Sequence, residues 1–300
     1  MNRYANNKKI LVLGRTGLLA QAVVKVANKS GYEVFSLSRD QGVDLTSKGA
    51  ESCLEEALNR IGPSLIFNAT GITNLQFCEQ YPDQAWLLHA RLPGLLAKWS
   101  DSTNCPWVHI STDHYFNASS NLSHTESECP KPPNEYASSK LAGEALALTS
   151  SKALVLRTNI IGKRGWVNQP NFAEWVMNCL YDKSPFNAYI DTWASSIEAG
   201  QFANLALRLA ESGERGLLNL ACSESISKAD LIEKIAKKSQ IKDYLMNKVR
   251  TPSHAIGQPK RANSMGLDCT KAQKRLRTLG LHLPDTDEVV SALVKSFREQ

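Results

Sequence analysis

The apolar positions of the chain fall into short continuous runs, separated by turn residues and by stretches with helical spacing. Lys9-Ile-Leu-Val-Leu13 is such a run and suits a strand buried on both faces. A helical stretch follows to about Asn28, then a second strand, Glu33 to Leu37, and a helix beginning near Ser47. Ser64-Leu-Ile-Phe67 reads as a third strand, a helix spans about Pro82 to Trp99, and Trp107-Val-His-Ile110 is a fourth strand. Leu141-Ala-Gly-Glu-Ala-Leu-Ala-Leu148 has helix-forming composition, and Ala153-Leu-Val-Leu-Arg157 is another strand. Strand and helix alternate throughout this half, which predicts an α/β fold with a doubly wound parallel sheet.

The pattern loosens beyond Arg157. Phe172 to Leu180 reads as a helix, Asp191 to Ser196 as a loop, Ile197 to Ser212 as a helix and Gly216 to Leu220 as a late strand. Ser227-Lys-Ala-Asp230 resembles a capping box with Asp in place of Glu, opening a helix to about Lys238. Tyr244 to Lys248 is expected near the end of a polar helical segment, Pro252 to Met265 as a basic loop, and Asp285 as the start of a terminal helix.

With 300 residues, 42% of them hydrophobic, the chain can bury a substantial core as one large domain with a lobe, or as two domains. The net charge of +6 comes from 35 basic and 29 acidic residues without a long basic run. That argues against a nucleic-acid binder and fits a phosphate-bearing small molecule. Seven widely spaced cysteines without a Cys-x-x-Cys pair argue against a disulfide framework and a zinc site, and point to a reducing cytoplasm. No apolar stretch approaches a membrane span, and Met1 to Lys9 lacks the apolar centre of a signal peptide.

The candidate chemistry gathers at strand ends. Gly14-Arg-Thr16-Gly17-Leu18-Leu-Ala20 lies between a strand and a helix, where a tight turn brings backbone N–H groups close to a pyrophosphate. The bland alternative is a glycine turn without a ligand. At the end of the second strand no acidic residue awaits a ribose hydroxyl; Arg39 offers a guanidinium to a 2′-phosphate instead, favouring NADPH over NADH, or is simply solvated. Asp44, beside Leu45, is either an adenine contact or a helix cap. Asn68-Ala69-Thr70-Gly71 is a further small-residue turn at a strand end.

Tyr136 and Lys140, four apart on one helix face, can present a phenol and an ammonium to the same ligand. The ammonium is expected to lower the phenol's pKa, and Thr112, or alternatively Ser111, to hold the oxygen that receives its proton. The spacing alone is weak, since Tyr4/Lys8 and Tyr244/Lys248 share it and read as surface pairs.

Together Gly14-x-x-Gly17, Asp44-Leu-Thr, Asn68-Ala-Thr-Gly, Ser111-Thr-Asp, Tyr136-Ala-Ser-Ser-Lys140-Leu-Ala-Gly-Glu and Arg157-Thr resemble an extended short-chain dehydrogenase/reductase, most similar to the dTDP-4-dehydrorhamnose reductase family. The resemblance implies an NAD(P)-binding Rossmann domain over residues 1–160 with return segments near 186–222, and a smaller substrate lobe over 161–300. It implies a nucleotide-sugar substrate whose 4-keto oxygen Tyr136 protonates, with Lys140 on the nicotinamide ribose and Thr112 on the carbonyl, and together with the basic loop it puts Arg261 or Lys260 near the diphosphate. It implies cofactor contacts at Gly14, Thr16, Gly17, Leu18, Asp44, Leu45, Ala69, Thr70 and Gly71. No nucleic acid, membrane or metal is expected, and a homodimer is the candidate assembly.

The chain departs from that family at Ile160, where Trp is usual, at Gln76, usually acidic, at His89, commonly Asn, and at His114, usually Tyr. Both histidines are expected as packed or surface residues. The alternatives on the same scaffold are a nucleotide-sugar epimerase and a non-catalytic cofactor-binding partner protein, because the family also resembles the regulatory subunit of methionine adenosyltransferase.

Overall fold

The computed structural model describes residues 8–37, 44, 45, 47, 49–166, 168–252 and 257–299. Six parallel strands form the central sheet in the spatial order Gly216–Asn219, Ala153–Arg157, Trp107–Ile110, Leu65–Asn68, Lys9–Leu13, Glu33–Leu37. The chain therefore reverses its direction of winding between Lys9–Leu13 and Leu65–Asn68. Such a switch point opens a crevice at the carboxyl ends of its two strands.

Alternate residues along each strand feed two cores. Ile10, Val12, Phe67, Val108, Leu154 and Leu156 face the helices Leu18–Lys29 and Ala199–Glu211. On the other face Leu11, Leu13, Ile66, Trp107 and Val155 meet the helices Ala50–Ile61 and Leu92–Thr103. The sheet is thus covered on both sides, as the unbroken apolar runs required.

A separate core joins Val176, Leu180, Phe186, Ile232, Ile235, Val290 and Leu293, where the helices Phe172–Asp182, Lys228–Ser239 and Thr286–Arg298 pack together. Residues from Ile197 to Ala221 pack on the main sheet, whereas Phe186, Ala188 and Cys222, at the ends of the expected return segment, belong to the separate core. Leu267, Cys269, Leu276 and Leu283 also pack on the main sheet, a second return that the apolar pattern did not reveal.

Several boundaries differ from the sequence reading. The helix expected near Ser47 starts at Ala50 behind Gly49, whose φ of 84° suits glycine. Asp44 therefore does not cap it; its carbonyl instead closes a turn with the Ser47 amide and hydroxyl. The helix expected over Pro82 to Trp99 divides into Pro82–Trp86, a π-helical turn Leu87–Arg91 and Leu92–Thr103. Pro93, which lacks an N–H, is accommodated directly after that wider turn. The expected loop at Asp191 to Ser196 contains the short strand Trp193–Ala194, paired with Ser264–Leu267, whose first residues lie in the expected basic loop. Met246–Val249 is a strand rather than helix, and Lys248 pairs with Glu233 at 2.8 Å.

Candidate active site

Gly14 and the Asn68–Gly71 turn meet at the switch point. Gly14 has φ 90°, and a Cβ there would come within 3.0 Å of the Ala69 carbonyl oxygen, so only glycine fits. The Gly17 amide donates to the Gly14 carbonyl at 2.8 Å, and Gly17 precedes the Leu18–Lys29 helix without a side-chain cap or an acidic residue in its first turn. Open N–H groups at a helix start suit a pyrophosphate. Asn68 shapes the facing turn: its Oδ1 accepts from the Thr70 hydroxyl at 2.7 Å, and its Nδ2 donates to His109 Nδ1 at 3.2 Å.

These features fit a dinucleotide at Gly14, Gly17, Leu18, Ala69, Thr70 and Gly71. Thr16 is exposed on the same turn, while Leu45 packs against the core beneath Ala50–Ile61. Arg39 lies outside the described residues.

The fourth strand delivers Ser111-Thr112-Asp113 to the same edge of the sheet, all three buried. Across from it, Asn134 caps the Glu135–Ala147 helix by accepting from the Ala137 amide at 2.8 Å. Thr112 lies close enough to the Tyr136 phenol for its hydroxyl to favour the phenolate. Burial nevertheless pushes the phenol up to about 12, with Thr112 opposing the rise and Asp113 adding to it. The expected lowering by Lys140 is therefore corrected: its Nζ donates to the Ile110 carbonyl, and burial pushes the ammonium down to about 8 against the pull of Glu144. Helical spacing put both residues on one face, but the lysine turns toward the strand end.

Glu144 lies one turn beyond Lys140. Its carboxylate accepts from Arg157 Nε at 3.0 Å, from Arg157 Nη2 at 2.6 Å and from the Ser111 hydroxyl at 2.7 Å. Ser111 is thereby a support under Thr112, its hydroxyl directed away from the substrate role left open above. Asp113 accepts from Asn159 Nδ2 at 2.7 Å, and burial raises its carboxyl to about 7.

Both unusual histidines touch the phenol ring, His89 at 5.6 Å and His114 at 5.9 Å between centroids, each edge to face. His89 is fully buried, as a packed histidine. His114 Nε2 accepts from the Ala262 amide at 3.3 Å, and the preceding Lys260 carbonyl accepts from Asn134 Nδ2 at 2.7 Å. Arg261 is thus held beside the Glu135–Ala147 helix, and its charge lowers the pKa of both His114 and Lys228 after burial, the larger cause in each.

Lys228 is a residue that the sequence reading passed over as part of a helix cap. Its ammonium lies 5.4 Å from the Phe172 ring centroid, at the wall of a cavity of about 500 Å³ that Trp175, Phe186 and Tyr189 also line. Only folding brings the start of that helix next to Asp113, so no local signal marked it. Ile160 packs partly buried against the main core, and Gln76 is exposed.

Among the described residues no cluster of three metal-ligating side chains occurs, all seven cysteines are free, and no helix is long and apolar enough to cross a membrane.

The chain is similar to several known proteins. The chain is 26% identical to the probable low-salt glycan biosynthesis reductase Agl14 of Haloferax volcanii, over 96% of this chain and 98% of that one. It is 25% identical to the beta subunit of rat methionine adenosyltransferase 2, over 92% of this chain and 83% of that one. In fold it matches the dTDP-4-dehydrorhamnose reductase of Bacillus anthracis, solved in complex with NADP, with a TM-score of 0.84 at 20% identity over 99% of this chain and 100% of that one. The family described as the RmlD substrate binding domain matches residues 8–298, and the chain belongs to it.

Proposed function

We propose that the protein reduces the 4-keto group of a nucleotide-diphosphate sugar with NADPH, and that Tyr136 donates the proton. The observation that carries this is the burial of Thr112 beside the Tyr136 phenol, whose titration the Thr112 hydroxyl influences, at the sheet edge beside the switch-point crevice. The chemistry a nicotinamide cofactor supplies when bound is hydride. The chain supplies the rest.

A phenol held up at about 12 stays protonated at neutral pH, so it serves as a donor to a ketone oxygen seated between Thr112 and Tyr136. Lys140 holds a positive charge below the phenol up to about pH 8, on the side where the resemblance puts the nicotinamide ribose. Lys228 and Arg261 form a cationic rim suited to a diphosphate, and the aromatic cavity beside Lys228 suits a nucleobase. The family membership and the reductase named among the relatives support the same reading.

The methionine adenosyltransferase subunit supports a second reading, a cofactor-binding partner without turnover. One experiment separates the two. With dTDP-4-dehydrorhamnose and NADPH, wild type turns over, whereas Tyr136→Phe loses about 10²-fold or more in kcat and keeps its NADPH affinity within about twofold. Wild-type rates in the variant remove Tyr136 as the acid, and NADPH binding without any turnover of the wild type favours the partner protein.

A further inference from the structure

His89 occupies the middle of the π-helical turn Leu87–Arg91, where the wider backbone breaks an otherwise continuous helical run. Its carbonyl lies flat against Gly143, and a Cβ on Gly143 would overlap that oxygen. The turn therefore packs directly on the helix that carries Tyr136 and Lys140.

The ring bridges two parts of the site. Nε2 accepts from the Ile72 amide at 2.8 Å, and Nδ1 lies 2.9 Å from the Ser139 hydroxyl oxygen. A backbone amide can only donate, so Nε2 carries no proton and the neutral ring holds its proton on Nδ1, donated to Ser139. The Ser139 hydroxyl in turn donates to the Tyr136 carbonyl at 3.0 Å, sharing its proton with Glu135 at 2.8 Å. One hydrogen-bond chain thus runs from the backbone just past Gly71 to the backbone of Tyr136. Burial and the nearby Lys140 charge disfavour a second proton on this ring.

A residue that merely filled this space would leave the Ile72 amide without an acceptor and the Ser139 oxygen without the proton that His89 donates to it. We propose, on the assignment of Tyr136 as proton donor, that His89 is a positioning residue: its Nδ1-protonated ring locks the end of the Asn68–Gly71 turn to the catalytic helix and so fixes the phenol relative to the cofactor side of the cleft.

Two measurements test this on the full chain. In ¹⁵N-histidine-labelled protein at neutral pH, the His89 resonances, assigned by their loss in His89→Gln, show a protonated Nδ1 and a bare Nε2, the minor form of free imidazole. A protonated Nε2 overturns the bridge. This readout is independent of catalysis, so it separates failure of the bridge from failure of the reductase reading.

The second measurement is steady-state turnover of dTDP-4-dehydrorhamnose. His89→Leu lowers kcat by about tenfold or more and leaves the sugar-nucleotide KM within about twofold. His89→Gln, which keeps an acceptor at the reach of Nε2, recovers most of the loss. Equal losses in the two variants that track their melting temperatures would reduce His89 to packing, and an unchanged kcat in His89→Leu would overturn the proposal outright.

Discussion

Arg157 grips Glu144 through two nitrogens, at 2.6 and 3.0 Å, with both side chains about 3–4% exposed. The pair joins the end of a central strand to the Glu135–Ala147 helix, one turn past Lys140, and the carboxylate also takes the Ser111 hydroxyl. Glu144→Ala strands a buried guanidinium, which costs about 3–5 kcal/mol. Urea unfolding measures the loss, and a change below about 1 kcal/mol would show that the pair carries no structural weight.

Gly143 and Gly94 both sit within helices, yet their substitutions should act in opposite directions. A Cβ at Gly143 overlaps the His89 carbonyl, a backbone atom with no rotamer to yield, so Gly143→Ala destabilises by about 1–3 kcal/mol and lowers kcat. At Gly94 the nearest atom is a Leu146 methyl at 3.7 Å, an ordinary contact, and Gly94→Ala stabilises by about 0.5–1 kcal/mol. Thermal unfolding of the two variants checks the pair.

Asp113 makes stability depend on pH. Its folded pKa, about 7, exceeds the ordinary 3.8, chiefly because of burial, so the folded state holds a proton that the unfolded state releases. Its contribution is full below about pH 4 and declines as pH rises through about 7, by an amount on the order of a few kcal/mol. Asp113→Asn should flatten that decline while still accepting from Asn159. Urea midpoints for both proteins at pH 5 and pH 8 test it, and equal slopes in the two would assign the pH dependence elsewhere.

Arg261 and Lys228 approach the site from separate segments, and the Arg261 charge lowers the pKa of Lys228 after burial, the larger cause. Arg261→Glu should raise the sugar-nucleotide KM about tenfold or more and leave NADPH affinity unchanged, and Lys228→Met should raise KM with it. A KM that stays put in both variants takes the basic rim out of the substrate site.

Elements whose cause is local were legible in the chain itself. Lys9–Leu13 and Ala153–Arg157 begin and end as their apolar runs dictated, because a strand buried on both faces needs an unbroken run, and the edge strand Glu33–Leu37 keeps its expected bounds with most residues half-buried. The four-residue spacing set Tyr136 and Lys140 on one helix face, and the glycines announced the turns at Gly14 and Gly17. What depends on residues distant in sequence was decided only by folding. The phenol's pKa rises because the packed site removes water from it, an effect invisible in the Tyr-x-x-x-Lys spacing, while Lys140 is drawn to a strand carbonyl rather than to its neighbour on the helix. His89 and His114 looked like isolated departures from a family pattern; tertiary packing set both rings against Tyr136. Lys228 carried no local mark at all, because its charge matters only where a second core folds back over the edge of the sheet.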